Sequence, residues 1–207
     1  IDGLTGSLAL VAIIGVFVFE SLSGNYRLLD FLLVMAAALV PYLLTNLSII
    51  SERKIFLGDA GAYAIGHLLV WMSVSILWNA PHVTPLAMLL IFFWPVADTL
   101  LAITRRLSSG KPVSQPDRLH FHQLVMRGVE IIFLRRKKRH ITNPLATLLI
   151  TPFIFAPMAA GVLLSLDRSN AALAYLTFSA VFIATYKVGM WMTPKLRRLP
   201  SPQERQT

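Results

Sequence analysis

An all-α, polytopic transmembrane bundle is the fold class this sequence predicts, and three observations predict it. Hydrophobic residues make up 56% of the 207-residue chain against 14% charged, with a mean hydropathy of +0.65, whereas soluble domains carry about 25% charged residues. Six apolar stretches approach or reach the length of a membrane-spanning helix, which needs roughly 20 residues. No stretch shows the alternating pattern of an outer-membrane barrel strand.

The stretches are residues 4–19, 28–47, 60–78, 83–103, 145–166 and 171–193. The first is short, and is accommodated if its first turn protrudes into water or neighbouring helices bury its end. The fourth reads as one continuous crossing, and no paired interrupted helices of the transporter type are evident. With about six spans and no soluble segment or internal repeat, residues 1–207 read as a single integral-membrane domain. The absence of cysteine excludes disulfides and thiolate metal sites. The opening Ile1-Asp2-Gly3, without methionine or a basic n-region, reads as the C-terminal part of a longer chain and not as a signal peptide.

Six alternating crossings sort the connections onto two sides. Of the 19 lysines and arginines, all but Arg27 and Arg168 fall on one of them. The positive-inside tendency makes that side cytoplasmic. It carries a large basic loop at residues 104–144 and a tail at 194–207, together with Asp2 and Asp59. Basic residues 135–139 have the composition of an anionic-lipid patch or a topology determinant. Without aromatic stacking residues around them, they do not indicate nucleic-acid binding.

Three motifs on this side carry chemistry. Asp2-Gly3 precedes the first span, and Phe56-Leu57-Gly58-Asp59-Ala60-Gly61-Ala62 enters the third. Asp59 is either a helix cap or a carboxylate for a divalent cation, and Asp2 is a second acid of the same kind. The third motif, Pro116-Asp117-Arg118-Leu119-His120-Phe121-His122-Gln123, sets two histidines at i and i+2 beside an arginine and an acid. Guanidinium and imidazole groups in such a cluster suit an anionic ligand or a metal. Inside the spans, Asp98 is either a helix-pinning ion pair or a functional acid facing a polar cavity. His67 reads as a neutral interhelical hydrogen-bonder.

Taken together and in this order, the motifs resemble the polyprenyl-phosphate N-acetylhexosamine-1-phosphate transferases, glycosyltransferase family 4. The likeness runs over residues 1–166. It implies transfer of N-acetylhexosamine-1-phosphate from a UDP-sugar to undecaprenyl or another polyprenyl phosphate, with release of UMP, as the first membrane step of cell-envelope polysaccharide synthesis. The implied setting is the bacterial inner membrane, with the active site and C-terminus cytoplasmic and a homodimer as an open alternative to a monomer. The implied cofactor is Mg²⁺, with Mn²⁺ as the alternative, held by Asp2 and Asp59. Asp117, Arg118, His120 and His122 are implied to bind substrate, and Asp2, Asp59 and His120 to act in catalysis.

Thr5 stands where many family members have a second aspartate, Ala62 where a serine is frequent and Gln123 where a third histidine often occurs. The family's adjacent aspartate pair precedes the stretch matching Ile1, so the chain is expected to hold only half of an active site. Two other classes remain in play, a transporter or flippase using Asp98 and His67, and a membrane scaffold using its basic loop.

Overall fold

The computed structural model describes residues 2–24, 26–50, 53–110, 112, 120–130 and 139–197, with side chains to residue 192 and from 142 in the last two helices. Every regular element within these residues is an α-helix. In chain order they are α1 (Leu4–Leu22), α2 (Leu29–Asn46), α3 (Gly58–Asn79), α4 (Pro85–Ile91), α5 (Phe93–Ser108), α6 (Phe121–Val129), α7 (Arg139–Leu163) and α8 (Arg168–Arg197). Helices dominate because lipid offers backbone amides no hydrogen-bond partners, so each spanning segment must satisfy its own. Among the described residues five helices are long and apolar enough to cross a membrane, or six with the bent α4–α5 pair counted as one.

Helix α1 is the central staff. Just over half of its apolar window is buried, 56% against 17% for α8, and it packs on α2, α3, α4 and α7. The side chains of Phe31, Val34, Trp71, Trp78, Leu173 and Leu176 point outward from α2, α3 and α8, as lipid contact requires. Small residues let the central helices approach. A Cβ on Gly161 of α7 would lie 2.5 Å from the carbonyl oxygen of Ala87 in α4, the kind of close contact that drives helix association in lipid. At the far end from Asp2, buried Glu20 of α1 accepts the Leu28 N–H at 3.2 Å and so closes the α1–α2 turn. Thr84 N–H donates to Ser165 O at 2.8 Å, which ties the α3–α4 connection to the end of α7.

The fourth span differs from the sequence expectation. The continuous crossing expected over residues 83–103 is broken at Phe92, and α4 and α5 meet at 83°. Pro95 permits the break. It has no N–H to donate, and in a continuing helix its ring would collide with the carbonyl of Ile91, four residues earlier. The chain instead turns at Phe92 (φ −97°, ψ 15°), and α5 restarts with Pro95 in its first turn, where a missing N–H costs nothing.

Helical structure also runs into the stretch expected as a loop over 104–144. Helix α5 runs to Ser108 and α7 begins at Arg139, with α6 between them. Residues 194–197, read as tail, continue α8. Most of the basic patch at 135–139 lies outside the described residues.

Candidate active site

The first half of the site is built where α1 begins. Gly3 caps α1 with φ +78°, a left-handed conformation that glycine adopts without penalty. This turn aims its N–H at the Asn46 side chain on the last residue of α2, with Oδ1 accepting at 2.6 Å. The other end of the same amide, Nδ2, donates to Ile55 O at 2.6 Å. One side chain therefore staples the α1 start, the α2 end and the loop leading to α3. Asp2, 6% exposed, is held by three further groups. Lys54 forms an ion pair with Oδ2, Asn143 Nδ2 donates to the same oxygen at 3.3 Å, and Thr147 Oγ1 donates to the Asp2 carbonyl at 2.6 Å. Asn143 and Thr147 lie four apart on α7, one turn, and so present one face to Asp2.

Asp59 sits in the first turn of α3 just after Gly58, whose φ of +68° again calls for glycine. The cap alternative for Asp59 does not hold, because no side-chain cap bond forms at this helix start. Its carboxylate is exposed and has no partner among the described residues, although the positive end of the α3 dipole favours a negative charge there. Asp59, Thr5, Tyr42 and Asn46 line a polar recess of about 310 Å³. That recess shares Thr5, Leu57 and Ala62 with an apolar groove of about 380 Å³, which runs between α1 (Leu8, Ala12), α3 (Ile65, Leu69) and the start of α5 (Pro95, Val96).

The second half gathers around α5 and α6. His120 caps α6 in extended conformation, and its Nδ1 lies 3.0 Å from Asp98 Oδ2. The Phe121 N–H donates to Asp98 Oδ1 at 3.0 Å. His122 places its Nδ1 3.6 Å from the same Oδ2, a charge contact and not a hydrogen bond. The two imidazoles stack almost parallel, 8° apart in plane with centroids 5.4 Å apart. Between them Phe121 points inward, edge-on to Trp94 at 4.8 Å and stacked on Phe182 of α8 at 4.9 Å. This aromatic key locks α6 to α5 and α8. Nearby, the Arg105 guanidinium bonds the Tyr186 hydroxyl on α8, and Gln123 Oε1 is buried without a hydrogen bond.

The structure therefore ties Asp2 into a helix-end network, sets Asp59 at the edge of a recess that Asn46 also lines, and joins His120 and His122 through Asp98. Asp117 and Arg118 lie outside the described residues. Among the described residues no group of three histidines or acids gathers as a ready metal cage. His67, expected as an interhelical hydrogen-bonder, is exposed and instead meets Trp71 of its own helix edge-on at 6.1 Å. Sequence reasoning did not find Asn46, Lys54, Asn143 or Thr147. It left Asp98 undecided, and the only signal in the sequence was an acid three residues after Pro95 within an apolar stretch.

Comparison with known proteins bears on the same end of the chain. Residues 1–77, which carry both Asp2 and Asp59, match the family model described as "Glycosyl transferase family 4". Curated relatives named "Undecaprenyl-phosphate alpha-N-acetylglucosaminyl 1-phosphate transferase" agree. The one from Escherichia coli (strain K12) is 35% identical over 130 residues, covering 62% of this chain and 35% of that protein. The Yersinia pestis relative is 36% identical over 132 residues, covering 62% and 36%. The Haemophilus influenzae relative is 30% identical over 126 residues, covering 59% and 36%. The match thus spans about a third of each relative's length. No solved structure matches the chain.

Proposed function

We propose that this chain contributes to the active site of a transferase that moves N-acetylhexosamine-1-phosphate from a UDP-sugar to a polyprenyl phosphate at the cytoplasmic face of a bacterial plasma membrane. One observation carries the reading. A polar recess edged by the open carboxylate of Asp59 adjoins an apolar groove between spanning helices, with Thr5, Leu57 and Ala62 common to both. Such a site suits an acceptor with a lipid tail and an anionic head. The family-model match over residues 1–77 and the names of the curated relatives support the same chemistry.

In the reaction, a phosphate oxygen of the lipid attacks the β-phosphorus of the UDP-sugar. As that bond forms, the bond from the β-phosphorus to the bridging oxygen breaks, and the electron pair leaves on UMP. Both reactants are anions, so the site must offset their repulsion. His120 and His122 offer N–H donors and Arg118 is assigned as the cation by its motif, in which Asp117 is a substrate-binding acid. Lys54 adds a fixed positive charge beside Asp2.

The donor set fits Mg²⁺ or Mn²⁺ as a site completed by substrate. Mg²⁺ typically takes one or two carboxylates together with substrate phosphates, and Asp59 offers an exposed carboxylate without a competing partner. Asp2 would be the second candidate ligand, on giving up its contact with Lys54. The ion would supply charge neutralisation at the diphosphate.

Replacing Asp59 by Asn in the full-length protein tests this. UMP release from UDP-N-acetylglucosamine with undecaprenyl phosphate should fall by about 10²–10³-fold, the usual loss when one electrostatic stabiliser is removed. The metal dependence should weaken in parallel. Near-wild-type turnover would sink the role of Asp59, and a wild-type protein without UMP release would sink the transferase reading.

A further inference from the structure

We infer that Asp98 is a positioning residue that fixes His120 with its Nδ1–H turned inward and leaves Nε2 as the working nitrogen, with His122 held alongside. This deepens the transferase reading and rests on it for the use to which Nε2 is put. The hydrogen-bond geometry stands independently.

Asp98 is 8% exposed on a helix that begins in apolar surroundings. A carboxylate in such a place is retained only where its oxygens are matched by donors. An ionised carboxylate accepts and cannot donate. Oδ1 is committed to the Phe121 N–H, so the acid grips the α6 backbone next to His120 and sets where that residue starts the helix. Oδ2, 3.0 Å from His120 Nδ1, then requires a proton on Nδ1. In the neutral ring the lone pair is consequently on Nε2, and in the charged ring Nε2–H is the donor available to a phosphate oxygen.

His122 adds a second constraint. Its Nδ1 reaches the same Oδ2 at 3.6 Å, and its ring lies 8° from parallel with His120. One oxygen therefore organises two imidazoles into a stack. The break at Phe92 and the Trp94–Phe121 contact bring Asp98 to the start of α6. A straight helix through residues 83–103 would leave α5 on another course. The arrangement follows the logic of an acid that orients a catalytic histidine by its far nitrogen.

The decisive comparison is wild type against Asp98→Asn, reconstituted as the full-length protein in lipid bilayers with ¹⁵N-labelled histidine. His120→Gln identifies the His120 resonances. If the Asn carbonyl keeps the Phe121 N–H, its NH₂ faces Nδ1 and demands a bare nitrogen there. Solid-state ¹⁵N spectra of neutral His120 should therefore show a protonated Nδ1 in wild type and a protonated Nε2 in Asp98→Asn. A protonated Nε2 already in wild type, or no change in the variant, overturns the proposal.

In the transfer assay, kcat should fall by about 10²–10⁴-fold, the usual contribution of a positioned acid–base group. KM for the UDP-sugar should stay put, and Asp98→Glu should restore part of kcat with the wild-type tautomer. If wild type transfers nothing while the spectra behave as stated, the transferase reading fails and the positioning role stands. If kcat and KM collapse together in both variants with the tautomer unchanged, Asp98 is only a helix pin. Should Asp98→Asn not fold, the wild-type and Asp98→Glu spectra decide by the same criterion.

Discussion

Two aspartates on two helices show how differently this molecule treats a negative charge. Asp59 stands in the first turn of α3, exposed and without a partner among the described residues, at the edge of a polar recess. Asp98 stands inside α5, buried, with both oxygens engaged by α6. An open carboxylate keeps its capacity for a ligand, and its loss costs the fold little. An engaged one has spent that capacity on orienting neighbours, and its loss exposes them. Asp2 lies between these extremes. It is buried like Asp98, yet paired with a lysine on a loop.

Stability measurements break or sharpen this contrast. The largest effect is expected from Asp98→Ala, which leaves the Phe121 N–H and His120 without their acceptor and His122 without its charge contact. Removing one partner of a buried charged contact costs about 3–5 kcal/mol, so the detergent-solubilised protein should melt well below wild type. Asp59→Ala, a surface change without lost contacts, should stay within about 0.5 kcal/mol. Equal melting shifts in the two variants would erase the distinction.

The next effect concerns how Asp59 is placed at all. Asn46→Ala strips acceptor and donor from Gly3 N and Ile55 O, and unsatisfied buried groups of this kind cost about 1–3 kcal/mol. Faster proteolysis of the 53–57 loop should accompany the lower melting point. Protection equal to wild type would mean that the loop is held by other contacts.

The smallest effect lies outside the spans. Asp167 accepts the Asn170 N–H at 3.0 Å and caps α8. The backbone and side-chain N–H groups of Asn170 hold its carboxyl below the ordinary value. A depressed folded value means that the ionised cap stabilises α8 above the ordinary aspartate range and loses this contribution as pH falls through the lowered value. The gap in melting temperature between wild type and Asp167→Ala should be slight at neutral pH and should close in acid. A gap that widens in acid would contradict the cap.

The helical class and five of the crossings were legible because apolar length against bilayer thickness is a local property, readable one segment at a time. The motifs that hold Asp2 and Asp59 were legible for the same reason, since each precedes an apolar stretch. The fourth span was not. Pro95 permitted a break, but whether a spanning helix kinks or continues depends on the neighbours available to receive the redirected segment.

By itself, then, the sequence determined which stretches are long and apolar enough to cross and which motifs carry acids and imidazoles. Only the tertiary structure decided that Asp98 reaches His120, 22 residues later, and that Asn46 joins Gly3 to Ile55. Hydrogen bonds act over about 3 Å. Partners so distant along the chain are selected by how helices pack and turn in lipid, and no single segment's composition records that.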